Sequence, residues 1–156
     1  LLRITGVIDL TTGGREALDE QVDRLRGATD DPGQVIGSAK DLLEAVAKFV
    51  LEEMGFPAPA AASFDHLWHL ARDRLEMLPT QVDPGLTGAK NIKAILQSSW
   101  TIAEQVNGLR GLQGTGHGRT LPTGVSADMA LMVVREACSV AEYALTSLDR
   151  MRGRRT

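Results

Sequence analysis

The sequence predicts an all-α fold, an antiparallel bundle of four to five helices. Three observations carry that expectation. Long stretches repeat apolar residues at intervals of three and four, the period of a helix with one buried face. No segment alternates convincingly between apolar and polar residues as a half-buried strand does. No internal repeat or heptad run is sustained, so the helices should pack as a globular bundle, not as a solenoid or a coiled coil. A chain of 156 residues with 43% hydrophobic content can bury one core of ordinary size.

Residues 1–14 mix β-branched residues with glycine and read as a short extended arm or the end of an upstream region, with no function assigned. From Arg15 to Arg26, Leu18, Val22 and Leu25 recur at four and three among charges, which marks a modest, peripheral amphipathic helix. Residues 1–30 are therefore set apart from a helical domain over 31–156. Asp31 followed by Pro32 is a strong helix entry, with the Asp as N-cap and the Pro at the first helical position, where its missing N–H does no harm. The helix should run to Met54 on a wide apolar face from Val35 and Ile36 through Val50 and Leu51, closed by Gly55 and Pro57. Glu44 and Lys48 stand four apart on it, which is most often an ordinary surface pair.

An Ala/Pro linker over 56–63 leads to Ser63, the expected N-cap of a helix carrying Phe64, Leu67, Trp68, Ala71 and Leu75 and ending before Pro79. Asp65, His66, His69 and Asp73 on that helix invite a metal reading. A di-metal helical bundle needs facing Glu-x-x-His pairs, however, and no Glu-x-x-His occurs, so solvated polarity is the commoner explanation. Turn-rich residues 80–88 precede a second long helix from Ala89, with Ile92, Ile95, Leu96, Ile102, Ala103, Val106 and Leu109 at helical spacing and Trp100 packing among them. After Pro122, Ser126 should cap a final helix that turns Ala130, Val133, Val134, Ala137, Ala141, Ala144, Leu145 and Leu148 inward. The basic tail from Arg150 to Arg155 reads as a solvated, frayed end.

Between the last two helices lies the run from Asn107 to Gly118, in which Gly108, Gly111, Gly114, Gly116 and Gly118 are glycine. Each interior glycine costs about 1 kcal/mol of helix relative to Ala, so the helix should end near Arg110. Asn107 and Arg110, three apart, share a face. A permanent cation able to fork onto a phosphate thus stands within folding reach of His117, which titrates near neutral pH. Those are parts for metal-free chemistry on a phosphodiester. An arginine complementing a helix dipole, beside a loop with a solvated histidine, is the commoner use of such residues, and on spacing alone it is favoured.

A net charge of -3 argues against a protein that coats nucleic acid in general. The charge is uneven: residues 109–156 hold 7 basic against 4 acidic side chains, residues 1–108 hold 10 against 16. The single cysteine, Cys138, excludes an internal disulfide and sits in an apolar helical stripe, as a small core residue does. With no apolar run of about 18 residues and no signal peptide, a cytoplasmic protein without membrane contact is expected. The opening Leu1-Leu2-Arg3, without an initiator Met, suggests a piece of something longer, with a sensor or partner domain elsewhere.

Leu109-Arg110, Gly114 and His117-Gly118, together with the helix from Asp31 through Leu42-Leu43-Glu44-Ala45-Val46-Ala47-Lys48, give the chain a family likeness. It resembles the HEPN superfamily, and within it the C-terminal domain of abortive-infection (Abi) proteins, over about Asp31 to Arg152. The motif resembled is Leu-Arg-Asn-x-x-Gly-x-x-His-Gly; the polar residue that follows the Arg in it is Gly111 here, which removes a hydrogen-bonding group. The resemblance implies a HEPN-like bundle and a metal-independent endoribonuclease of phage defence or toxin type. It further implies a homodimer that sets two Arg/His pairs face to face, with no cofactor. Arg110, His117 and Asn107 are then the candidate catalytic residues, and Arg119 and Lys48 the candidate RNA contacts. A non-catalytic HEPN-like module that binds RNA or protein, or only dimerises within a larger defence protein, is the alternative.

Overall fold

A computed structural model of the chain describes residues 13–28, 31–113, 120–122 and 124–155. The extended arm expected at the N-terminus lies almost entirely outside them. Five α-helices follow one another, α1 (Gly14–Arg26), α2 (Pro32–Glu53), α3 (Phe64–Arg74), α4 (Ala89–Leu112) and α5 (Ala127–Arg155), with a 3-10 turn at Pro79–Gln81 before α4. No strand occurs among the described residues, so the all-α expectation holds.

The helix entries follow the local chemistry of the sequence. The Asp31 side chain accepts a hydrogen bond from the Gln34 N–H, with Pro32 at the first helical position. Ser63 accepts from the His66 N–H, and Ser126 accepts from the Met129 N–H. Each cap satisfies a donor that the first turn would otherwise leave without a partner. At the far end of α2, Gly55 takes φ +81, a left-handed conformation in which a Cβ would be strained.

The core is built on α2 and α5, the most extensive helix pair. Ile36, Ala39, Leu42, Leu43, Val46, Ala47 and Val50 of α2 meet Ala130, Val134, Ala137, Ala141, Ala144 and Leu148 of α5, all essentially without solvent exposure. Small residues on α5 let the two backbones approach closely, and Leu and Val on α2 fill the space between. The two helices run the same way: Gly33 at the start of α2 meets the end of α4, and Glu53 at its other end accepts from Arg152 of α5 at 3.1 Å. The sequential pairs α1/α2 and α4/α5 are antiparallel, whereas α3 runs the same way as α2, from Phe64 under Lys40 to Arg74 over Phe56. α5 stays helical to Arg155, past the point where a frayed tail was expected.

α1 is not peripheral. Leu18, Val22 and Leu25 join the main core, and Arg15 forks onto Asp149 of α5 at 2.6 and 3.0 Å while also holding Asp19. Arg26 reaches Glu142 of α5 at 2.6 Å. The boundary drawn at residue 30 on composition thus runs through a continuous hydrophobic core, because three well-spaced apolar residues suffice to seat a short helix on two neighbours.

α4 departs most from expectation. Only Leu96, Ala103 and Val106 are buried, while Ile92 and Ile95, expected to face inward, are 43% and 61% exposed. The helix leans on α2, α5 and the 3-10 turn along one narrow stripe, so the neighbouring apolar stripe has nothing over it among the described residues. Trp100 is half-buried, over Arg72 of α3. α4 also runs two residues past Arg110, with Gly108 and Gly111 helical. Two glycine penalties of about 1 kcal/mol each are outweighed by seating Val106 and Leu109 against the core and by the anchorage of Gln113 at the helix end.

Candidate active site

The site is built on the end of the bundle where α4 stops and α2 and α5 begin. Asn107 and Arg110 lie one turn apart on the last turns of α4, both half-buried. His117 and Arg119 fall in residues 114–119, outside the described residues. The two flanks of that segment are described, and they are tied together. The Gln113 side chain, at the C-cap of α4, donates from Nε2 to the Gly33 carbonyl in the first turn of α2 at 2.6 Å and to the Thr120 carbonyl at 3.3 Å. One carboxamide therefore joins the chain leaving α4, the chain returning towards α5, and the start of α2. Both acceptors are carbonyls, so the nitrogen has to face them and the amide orientation is fixed by chemistry.

The electrostatics of this end are mixed. The N-termini of α2 and α5 carry partial positive charge, and the C-terminus of α4 carries partial negative charge next to the Arg110 cation. Asp31 and Asp128 sit in the two N-terminal turns. Asp128 is held below its ordinary carboxylate value, first by a hydrogen bond with the Ser126 side chain and then by backbone N–H groups. An anion approaching this end meets the Arg110 guanidinium and two helix N-termini, with both acids already engaged in capping.

Gly111 is exposed and helical, and a Cβ added there meets nothing within 4 Å. The missing polar side chain is thus not a steric requirement of the backbone. Lys48 does not reach this end: it stands 15 residues beyond Gly33 on α2, about 22 Å along the axis, and pairs with Glu44 at 3.7 Å. Glu44 also takes Lys40 at 3.0 Å. His66 and His69 are exposed on α3, and among the described residues no three His, Cys, Asp or Glu side chains are grouped to hold a metal ion. Cys138 is fully buried, and burial pushes its thiol up to about 11, which suits a core residue and not a nucleophile. No described helix is long and apolar enough to cross a membrane.

Two residues with consequences escaped the sequence reading. Gln113 gave no signal, since a glutamine before a glycine is ordinary in a loop. Arg72 followed a helical charge pattern, yet its side chain is buried.

Along the groove between α4 and α5, Ile92, Ile95, Leu96 and Ile102 face Val140 and Tyr143 across a space of about 450 Å³. On α5, Met129 and Met132 lie seven and four residues before groove-lining Glu136, so the same face continues towards the α5 N-terminus, with both methionines about half exposed.

Residues 15–148 match the family model of Abi_C, described as a HEPN-like domain. No curated protein and no solved structure matches the chain.

Proposed function

The chain belongs to the Abi_C family of HEPN-like domains, and from that premise we propose that it is a metal-independent endoribonuclease of abortive-infection type. The observation that carries the reading is the grouping at one end of the bundle: Asn107 and Arg110 on the last turns of α4, beside a glycine-rich segment whose two flanks meet at Gln113. RNA brings its own nucleophile. His117 takes the proton of a 2′-OH, that oxygen attacks the adjacent phosphorus, and the 5′-oxygen leaves with a proton, giving a 2′,3′-cyclic phosphate. Arg110 holds the non-bridging oxygens as charge builds on the phosphorane, and the two-pronged guanidinium suits that task better than a point charge. Asn107, one turn earlier, orients the same phosphate by hydrogen bonding. Arg119 binds the adjoining backbone, and Lys48, too far along α2 for the same phosphate, binds a flank.

The active form in this reading is a homodimer. α4 leaves Ile92 and Ile95 uncovered beside Tyr143, and the exposed face of α5 runs on through Met132 and Met129 to the end that carries Arg110. A two-fold pairing along that face covers the apolar surface and brings two Arg110 ends to one interface, doubling a site that has one Arg and one His per copy.

Gly111 favours a second reading, a non-catalytic module that binds RNA or protein, because the side chain following the arginine is missing. The deciding experiment is RNA cleavage in excess EDTA by the wild type and by His117→Ala, with analysis of the product ends. Cyclic-phosphate ends lost in His117→Ala support the enzyme. An inactive wild type whose RNA binding weakens steeply with salt supports the module.

A further inference from the structure

The seam between α3 and α4 gathers buried hydrogen-bond donors of one kind. Trp68 and Arg72 stand four apart on α3 and so share a face, each 1% exposed. The Arg72 guanidinium lies over the Trp100 ring of α4, its carbon 4.9 Å from the centroid. Among the described residues, Trp68 Nε1, Trp100 Nε1 and the Nε and Nη2 atoms of Arg72 are all buried without a hydrogen-bond partner. Every one of these atoms is an N–H donor, and the guanidinium carries a permanent positive charge. Buried polar groups in folded proteins are nearly always satisfied, so four such donors on one seam call for an acceptor.

No carboxylate of the described chain fills that role. Burial is the sole influence on the Arg72 pKa, which it lowers, and the adjacent Asp73 accepts from Gln81 Nε2 at 2.9 Å. α3 and α4 are not one of the closely packed helix pairs, so long side chains and not backbones set the space between them. Trp100 is half-buried, which brings the outer edge of the cluster to the surface while Trp68 and Arg72 lie behind it.

We propose that this seam is a binding site for one small monovalent inorganic anion of the halide class, held by Arg72 and the indole N–H groups of Trp68 and Trp100. A water molecule accepting two of these bonds would have to place its own two hydrogens, and the cluster offers them no acceptor. A halide only accepts, and its charge offsets that of a guanidinium taken out of water. The site is independent of the ribonuclease reading: Trp100 lies ten residues before Arg110 on α4, about 15 Å along the axis.

The chain has two tryptophans, both in the cluster, so its fluorescence reports on this seam. Thermal melts of the whole chain in sodium gluconate and in sodium chloride, at one ionic strength, are the first test. The wild-type melting temperature should rise saturably with chloride, by about 3 to 6 °C when chloride stands about tenfold above its dissociation constant. Arg72→Met should show no such rise, so any stability advantage it has in gluconate narrows as chloride is added. Iodide should quench wild-type fluorescence saturably, with chloride competing, and should quench Arg72→Met only in linear, collisional fashion. Trp100→Phe keeps a ring under the guanidinium and removes one donor; its melting temperature should need about tenfold more chloride or above for the same rise, and it decides the matter where Arg72→Met fails to fold. Equal shifts from gluconate to chloride in the wild type and the variants overturn the proposal, as does linear iodide quenching of the wild type that chloride leaves unchanged.

Discussion

The guanidinium of Arg72 lies over the indole of Trp100, its carbon 4.9 Å from the ring centroid, and this stack joins α3 to α4. Arg72 is 1% exposed, and its Nε and Nη2 atoms have no hydrogen-bond partner among the described residues. Burial lowers its pKa, the direction expected for a cation taken out of water, and no carboxylate among the described residues pairs with it. The stack contributes about 0.5 to 2 kcal/mol, while desolvating a lone cation costs several kcal/mol, so the charge is a net burden on the fold. Arg72→Met, which keeps the stem and removes the charge, is expected to unfold at the same denaturant midpoint as the wild type or a higher one. Arg72→Ala also removes the stem that covers Trp100 and should cost about 2 kcal/mol or more. Urea melts of the two variants separate these effects, and a Met variant as unstable as the Ala variant would show that the charge itself stabilises the fold.

Cys138 gives a prediction with a defined pH window. Its thiol is raised from an ordinary 9.0 to about 11 by burial, with Arg26 opposing the shift and Glu142 adding to it. The neutral form is therefore the one that the fold favours. Stability from this group is fully present below pH 9, is lost as pH rises towards 11, and does not change between pH 6 and 8. The native protein should resist iodoacetamide at pH 8 and react at the free-thiol rate only in denaturant. Rapid alkylation of the folded protein would mean that α5 opens locally far more often than its packing allows.

How far the sequence reveals the molecule depends on the range of the interaction. Caps at Asp31, Ser63 and Ser126 are local, involving a side chain and an N–H three residues on, and they are legible. So are the faces of α2 and α5, because their apolar stripes meet each other. Ile92 and Ile95 follow the same periodicity but are exposed, since a period says that a face is apolar and not what covers it. Gly108 and Gly111 stay helical because the packing of Val106 and Leu109 outweighs a local preference. At the site, Asn107 and Arg110 are legible as neighbours by helical spacing, whereas Gln113 acts across 80 residues and leaves no pattern. The expectations for His117 and Arg119 lie outside the described residues.

The uncovered face of α4 and α5 should make the chain self-associate. Light scattering is expected to give the mass of a dimer at micromolar concentration, and Ile95→Glu combined with Met132→Glu to give the monomer. Both side chains are more than half exposed, so neither change buries a charge in the subunit. The fold should therefore survive, with the helical circular dichroism unchanged. In a site shared across the two-fold axis, the monomeric variant loses RNA cleavage even though every candidate catalytic residue remains. A wild type that stays monomeric at high concentration would remove the shared-site arrangement.

The arginine provides the most demanding test of mechanism. On the ribonuclease reading Arg110 grips phosphate with two parallel N–H groups, and Arg110→Lys keeps the charge while losing that geometry. Its cleavage rate is expected to fall about 10²- to 10³-fold, as when a donor to a developing oxyanion is removed, with a smaller loss of RNA affinity. Gly111→Asn works in the opposite direction. Gly111 is helical, and a Cβ there meets nothing within 4 Å, so the substitution fits the backbone and removes part of the glycine penalty. It restores a hydrogen-bonding group next to Arg110, and cleavage should rise or stay level while the melting temperature rises slightly. If Arg110→Lys cleaves at the wild-type rate, or if cleavage by any of these proteins needs a divalent metal, Arg110 serves the dipole of α4 and not a phosphate.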